Sequence, residues 1–168
     1  VLEGEDQLVV SATATGKTLV GEMAGIDRAL NGEGKMLFLV PLVALANQKY
    51  DDFTEEYGDV VDVTLRVGAS RVNDDGNRFD PSADVIVGTY EGIDHALRTG
   101  RDIGDIGSVV IDEVHTLGEG ERGHRLDGLV SRLKYYTETR DQGTQWIYLS
   151  ATVGNPESLA RSLEATLI

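Results

Sequence analysis

Apolar residues in this chain fall in short unbroken blocks separated by stretches of helical spacing. Leu8-Val9-Val10 reads as a strand, and Leu19, Val20, Met23, Ala24 and Ile26 then recur three and four residues apart, which predicts a helix stopped by Gly32 and Gly34. Met36-Leu37-Phe38-Leu39-Val40 is the next block, ended by Pro41, and a helical pattern occupies 42–57. Residues 60–67 alternate as a strand does, and 68–81 form a polar loop rich in Asp, Asn and Gly. Asp84-Val85-Ile86-Val87-Gly88 and Ser108-Val109-Val110-Ile111 are predicted strands, with a helix over 90–98 between them. Leu126, Leu129, Val130 and Leu133 place a helix; Gln145-Trp146-Ile147-Tyr148-Leu149 is a strand; 156–165 is a helix that opens on proline. Strands alternating with helices predict an α/β fold with a mostly parallel sheet covered on both faces. Ligands of such sheets sit beyond the carboxyl ends of the strands.

Two stretches at such ends carry chemistry. In the first, Val9-Val10 breaks into Ser11-Ala12-Thr13-Ala14-Thr15-Gly16-Lys17-Thr18 before the helix starts. Strand, tight loop and helix form a phosphate-binding layout, because consecutive backbone N–H groups meet an anion at the positive end of the helix. Lys17 would reach the β- and γ-phosphates as a point charge, and the Thr18 hydroxyl would be a magnesium ligand. Ser11 stands where the full pattern has Gly, and Ala14 where a further Gly is common. The plainer alternative is a turn of small residues beside a lone lysine. In the second, Val109-Val110-Ile111 runs into Asp112-Glu113-Val114-His115. Adjacent acids on an apolar strand are costly unless used. In phosphoryl transfer Asp112 would hold the magnesium that Thr18 also ligates, and Glu113 would orient and deprotonate the attacking water. Solvated acids at an ordinary strand end are the alternative.

These two stretches and Ser150-Ala151-Thr152 resemble, in order, motifs I, II and III of the superfamily 2 DEAD/DEAH-box helicases, and DEVH is similar to the DExH, Ski2-like branch. Pro41-Leu42-Val43-Ala44-Leu45-Ala46 looks like motif Ia, Thr89-Tyr90-Glu91-Gly92-Ile93-Asp94 like motif Ib, and Arg122-Gly123 like a pair common in that branch. The resemblance covers nearly the whole chain. It implies a RecA-like P-loop NTPase, a three-layer sandwich serving as the first, ATP-binding domain of an ATP-dependent helicase. By the same resemblance, residues 11–18 bind ATP with magnesium, and His115, Ser150 and Thr152 couple the nucleotide to a track for DNA or RNA. Motif Ia and Thr89, Glu91 and Asp94 lie along that track. A second RecA-like domain of the same polypeptide supplies an arginine finger. Val43 departs from the arginine usual in motif Ia. A translocase that does not unwind, or an ATP-dependent binding module, are the other readings.

At 168 residues, 1–168 reads as one domain. Its opening at Val1, almost directly into a strand, gives the expectation of a piece of a longer polypeptide. There is no cysteine for a disulfide or thiolate site, and no apolar run long enough to span a membrane; a cytoplasmic protein with no membrane partner is the expectation. The formal charge of −14, from 29 acids against 15 Lys and Arg, changes the picture most. Such excess suits high intracellular salt, where screening removes self-repulsion, and reads as a haloarchaeal surface. An acidic face for a basic partner is the alternative. Other residues read more simply: Ser150 to Thr152 as a possible helix cap, His95 and His124 as surface, Arg66 and Arg71 as solvated arginines paired with acids, and Tyr135, Tyr136 and Trp146 as core.

Overall fold

A computed structural model describes residues 4–12, 14–68, 79–116, 120–141 and 143–168. Among these residues seven strands form one sheet: β1 (Gln7–Val10), β2 (Lys35–Val40), β3 (Val63–Arg66), β4 (Val85–Thr89), β5 (Ile106–Ile111), β6 (Gln145–Ser150) and β7 (Thr166–Leu167). Their order across the sheet is β3-β4-β2-β5-β6-β1-β7, and every pairing is parallel. Among the described residues five α-helices cover it: α1 (Ala14–Leu30), α2 (Val43–Tyr57), α3 (Tyr90–Arg98), α4 (Gly120–Glu138) and α5 (Pro156–Leu163). This is the predicted α/β three-layer arrangement.

The period of two in each strand divides the core into its two layers. Met36, Phe38, Val40, Val85, Val87 and Val110 face α1 and α2, where Phe38 meets Phe53 edge-on at 5.3 Å between ring centres. Leu37, Leu39, Ile86, Val109, Ile111 and Tyr148 face the layer of α3, α4 and α5. Helix α1 lies close on the sheet because it presents glycine there: a Cβ on Gly21 would meet Val110 Cγ1 at 2.8 Å, and one on Gly25 the Met36 sulfur at 2.5 Å. The helix carrying Lys17 is thereby seated on the strand carrying Asp112.

Several elements differ from expectation for local reasons. β3 is shorter than 60–67 because Val60 and Val61 donate their N–H groups back to Tyr57 O, closing the end of α2. α5 stops at Leu163 rather than running to 165, since Glu164 turns left-handed at φ 55°; the chain then forms β7, which pairs with β1. Tyr135 is 72% exposed rather than core, whereas Trp146 is buried and stacked on Tyr148. Arg66 makes no ion pair among the described residues; its guanidinium lies over the Phe79 ring at 5.9 Å, and burial pulls its pKa down. Arg71 lies outside the described residues. Among the described residues no helix is long and apolar enough to cross a membrane.

Candidate nucleotide site and adjoining groove

The strand order decides what meets at the carboxyl edge. β5, β6 and β1 are neighbours, so the ends bearing Asp112, Ser150 and Ser11 lie side by side; β4 and β2, bearing Tyr90 and Pro41 just beyond their ends, continue the row. All the motif-like stretches thus share one edge of the sheet, with Asp112 and Glu113 at its middle.

On the β1 side, the Ser11 N–H donates to Ser150 O at 3.2 Å, tying the loop to β6. Ala12 is exposed, Thr13 lies outside the described residues, and Ala14 and Thr15 open α1 with side chains outside them. Gly16 is exposed, and a Cβ there would meet nothing within 4 Å, so the loop leaves open space at that point. Lys17 is only 6% exposed and Thr18 is half-buried. A buried ammonium needs a compensating anion. Asp112 is an acid that feels the Lys17 charge.

Asp112 is fixed by its backbone: its N–H donates to Leu39 O at 2.9 Å, and its Oδ1 accepts the Glu113 N–H at 2.9 Å. Burial holds its carboxyl above the usual range, and the Glu113 charge pushes the same way. The Glu113 N–H, Lys17 and Lys49 oppose this. Glu113 itself sits at φ 60°, a region a non-glycine residue occupies only where its surroundings require it. Its Oε2 lies 3.1 Å from His115 Nε2, and His115 Nδ1 accepts the Ala151 N–H at 3.3 Å. With Nδ1 accepting, the neutral ring carries its proton on Nε2, toward Glu113. Ser150 is fully buried and donates from Oγ to Ala151 O at 2.8 Å, while Thr152 is exposed. The second acid, the histidine and the end of β6 therefore form one connected set. Ser150 to Thr152 do not cap α5; Asn155 does, accepting the Ser158 N–H at 3.0 Å.

On the other side of Glu113 opens a groove of about 700 Å³. Pro41, Leu42 and Leu45 form one wall, Tyr90 and Glu91 another, and Arg98 and Arg125 bring positive charge to it. Helix α2 starts there with Leu42 at its N-cap and no side chain capping it, which leaves its first N–H groups without a side-chain acceptor. Val43, in the place of the usual arginine, is half exposed. Asp94 lines the groove, but Arg132 grips it at 2.5 and 2.6 Å and Arg98 stands 3.7 Å away, so its charge is largely answered. Thr89 does not face the groove: it is buried, with Oγ1 accepting the Gly92 N–H at 3.0 Å. His95, expected on the open surface, is part of the lining, whereas His124 is exposed. Gly123 is buried in α4, and the Arg122 side chain is outside the described residues.

The model of the DEAD/DEAH box helicase family matches residues 1–159. This chain belongs to that family. Similar DEAD/DEAH box relatives include a probable ATP-dependent helicase, MJ1401, of Methanocaldococcus jannaschii, 53% identical over 173 residues covering 100% of the chain and 20% of the relative. Another is the ATP-dependent DNA helicase Hel308 of Caldivirga maquilingensis, 41% identical over 172 residues, covering 100% of the chain and 21% of that protein. The chain thus spans about a fifth of the length of these curated relatives. In three dimensions it is similar to the crystal structure of the DUF1998 helicase MrfA, with TM-score 0.79 at 23% identity over 99% of the chain and 28% of that structure; this likeness shows the fold.

Two contacts of this DEAD/DEAH box domain escape a sequence reading. Lys49 Nζ lies 2.8 Å from Glu22 Oε1, joining α2 to α1, and the Tyr90 hydroxyl donates to Asp112 O. Neither pair has a sequence spacing that betrays it; only the sheet order brings them together. Elsewhere, a cavity of about 500 Å³ at the amino ends of the strands holds Lys35, Asp102 and Arg140, whose charges are satisfied locally: Arg140 pairs with Asp102 at 3.2 Å, and Lys35 donates to Ala83 O at 2.6 Å.

Proposed function

We propose that this chain is the first RecA-like domain of an ATP-dependent helicase acting on nucleic acid, with residues 11–18 as its nucleotide loop. The observation that carries the reading is the connected set from Ala151 through His115 to Glu113, which abuts the loop side at β6 and lines the groove on its other flank. Lys17 holds the β- and γ-phosphates, with loop and α1 N–H groups as further donors. Glu113 takes the proton of the attacking water, and His115, with its proton on Nε2, holds that carboxylate in place. The groove takes the strand, gripped by backbone donors at the start of α2 and by Arg98 and Arg125. The names of the Hel308 relatives favour DNA over RNA.

Magnesium fits the donor set. No group of three or more His, Asp or Glu among the described residues could hold a metal alone, and magnesium is ordinarily held by one or two protein oxygens with the rest from phosphate and water. Thr18 and Asp112 would supply those protein oxygens, and the ion would neutralise charge on the phosphates. Burial, and then the Glu113 charge, oppose the ionised Asp112 that this requires, and the Glu113 N–H, Lys17 and Lys49 work in its favour. The second RecA-like domain and its arginine finger belong to polypeptide beyond this chain; a finger is worth about 10³ to 10⁵ in rate. The isolated domain should accordingly bind nucleotide and turn it over slowly.

The test is Glu113→Gln in the full-length protein. The amide keeps the shape but cannot take a proton, so ATP binding should persist while turnover falls about 10²- to 10⁴-fold. Unchanged turnover would leave Glu113 a structural residue and remove the basis of the reading.

A further inference from the structure

The Tyr90 phenol belongs to two places at once. Its ring lines the groove beside Leu42 and Leu45, and its hydroxyl donates to the main-chain carbonyl of Asp112. That carbonyl is one end of the peptide joining the two acids; the other end, the Glu113 N–H, is held by Asp112 Oδ1 at 2.9 Å. A peptide gripped at both ends sets the direction in which both side chains leave the backbone. Here it also holds Glu113 at φ 60°, a conformation that persists only where surroundings over-determine it.

The base of the phenol is equally constrained. Tyr90 is the first residue of α3, whose start is pinned by the Thr89 hydroxyl, accepting from Gly92 N–H at 3.0 Å and Gly68 N–H at 3.4 Å. Gly92 packs so closely that an added Cβ would lie 2.7 Å from Arg66 O and 2.9 Å from Gly68 N. With the backbone immobile, pressure on the ring face is relieved at its free end, and that end is the hydroxyl on Asp112. β4 and β5 are separated by β2, so this side chain spans a full strand to make the contact.

We propose that Tyr90 is a positioning residue through which a strand lying in the groove sets the Asp112–Glu113 peptide and hence the aim of both acids. The inference rests on the helicase reading above. It differs from a packing role, for which the ring alone would suffice, and from a binding role, which would act on strand affinity.

The experiment uses the full-length protein and a single-stranded oligothymidine. Tyr90→Phe keeps the ring and removes the hydroxyl. Turnover at saturating strand should fall about tenfold, the rate equivalent of one lost hydrogen bond, with the half-saturating strand concentration unchanged within about twofold. As a second measurement, on the wild type alone, adding the oligonucleotide should slow amide exchange across 112–116. Equal turnover in Tyr90→Phe, or a defect abolished by saturating strand, would overturn the inference while leaving the helicase reading intact; so would unchanged exchange at 112–116. A wild-type protein whose turnover ignores the strand would overturn both.

Discussion

Replacing Lys49 by Met separates the ion pair that joins the two helices of one layer. Glu22 is on α1, the helix that carries Lys17, and Lys49 is on α2, whose start forms a wall of the groove. The side chains are 10% and 21% exposed and 2.8 Å apart, and Lys49 also lies 5.7 and 5.6 Å from the ring centres of Phe38 and Phe53. Met keeps most of the stem, so the loss is chiefly the charge. Removing one partner of a buried pair costs about 3 to 5 kcal/mol, because the other is left uncompensated. Water at the lysine end argues for the lower figure, and each lost cation–π contact adds about 0.5 kcal/mol. A total near 3 to 4 kcal/mol corresponds to a fall in melting temperature of roughly 6 to 16 °C at this chain length. Urea unfolding at fixed salt measures it, in a double-mutant cycle with Glu22→Gln. The double variant should recover at least half the loss, since no buried charge remains. If Lys49→Met alone costs less than about 1 kcal/mol, or if the second substitution recovers nothing, the pair is not the tie between the helices that its burial indicates.

Two further perturbations test the electrostatics of the fold. Burial raises the Asp6 pKa above its ordinary 3.8 although its carboxylate accepts the Trp146 N–H at 2.8 Å. An acid raised on folding favours the folded state below its unfolded pKa and loses that contribution as pH rises through the folded value. Asp6→Asn, which can still accept the same N–H, should therefore gain stability over wild type as pH rises from 3 toward 7, read in parallel melts; a difference that shrinks over that range refutes the assignment. On α2, Asp51, Asp52, Glu55 and Glu56 are all exposed, and the last turn contains no basic residue. Their like-charge pairs at three and four residues sum to about 1 kcal/mol against the helix, and the helix dipole adds to it. Near 1 M potassium chloride the screening length is about 3 Å, so the melting temperature should climb from dilute buffer, by roughly 2 to 4 °C from this helix alone. A flat or falling curve would favour an acidic face for a basic partner.

The layered fold was legible because buried parallel strands leave unmistakable apolar blocks, as β2, β5 and β6 do. Their ends were less so. Glu164 ends α5 in a left-handed conformation that glycine would have announced and glutamate does not. α4 runs from 120 to 138, well beyond its apolar stripe at Leu126 to Leu133, because its outer face is polar and its buried face narrow. Of the candidate site, Lys17, Asp112 and Glu113 stand out from strand ends and residue types alone. The partners that orient them do not: Tyr90 and Asp112 are 22 residues apart, and Ala151 and His115 are 36 apart. Such contacts depend on which strands are neighbours, and the order β4-β2-β5-β6-β1 is a property of the assembled sheet. Asp94 shows the converse, an acid that the motif Ib resemblance placed on the track but that Arg132 on α4 and Arg98 one turn along α3 neutralise.

Calorimetric titration of ATP with magnesium into this domain and its Lys17→Ala variant tests the central claim most directly. Lys17 is buried at the start of α1 within the field of Asp112, so Lys17→Ala takes away a charged contact to phosphate and also leaves Asp112 without that charge, and the two proteins are compared at a temperature where both are folded. Hydrogen bonds to charged groups are worth about 1.5 to 3 kcal/mol, which predicts a loss of roughly tenfold to a hundredfold in affinity. Equal affinity in the two proteins would contradict the assignment of residues 11–18 as the nucleotide loop.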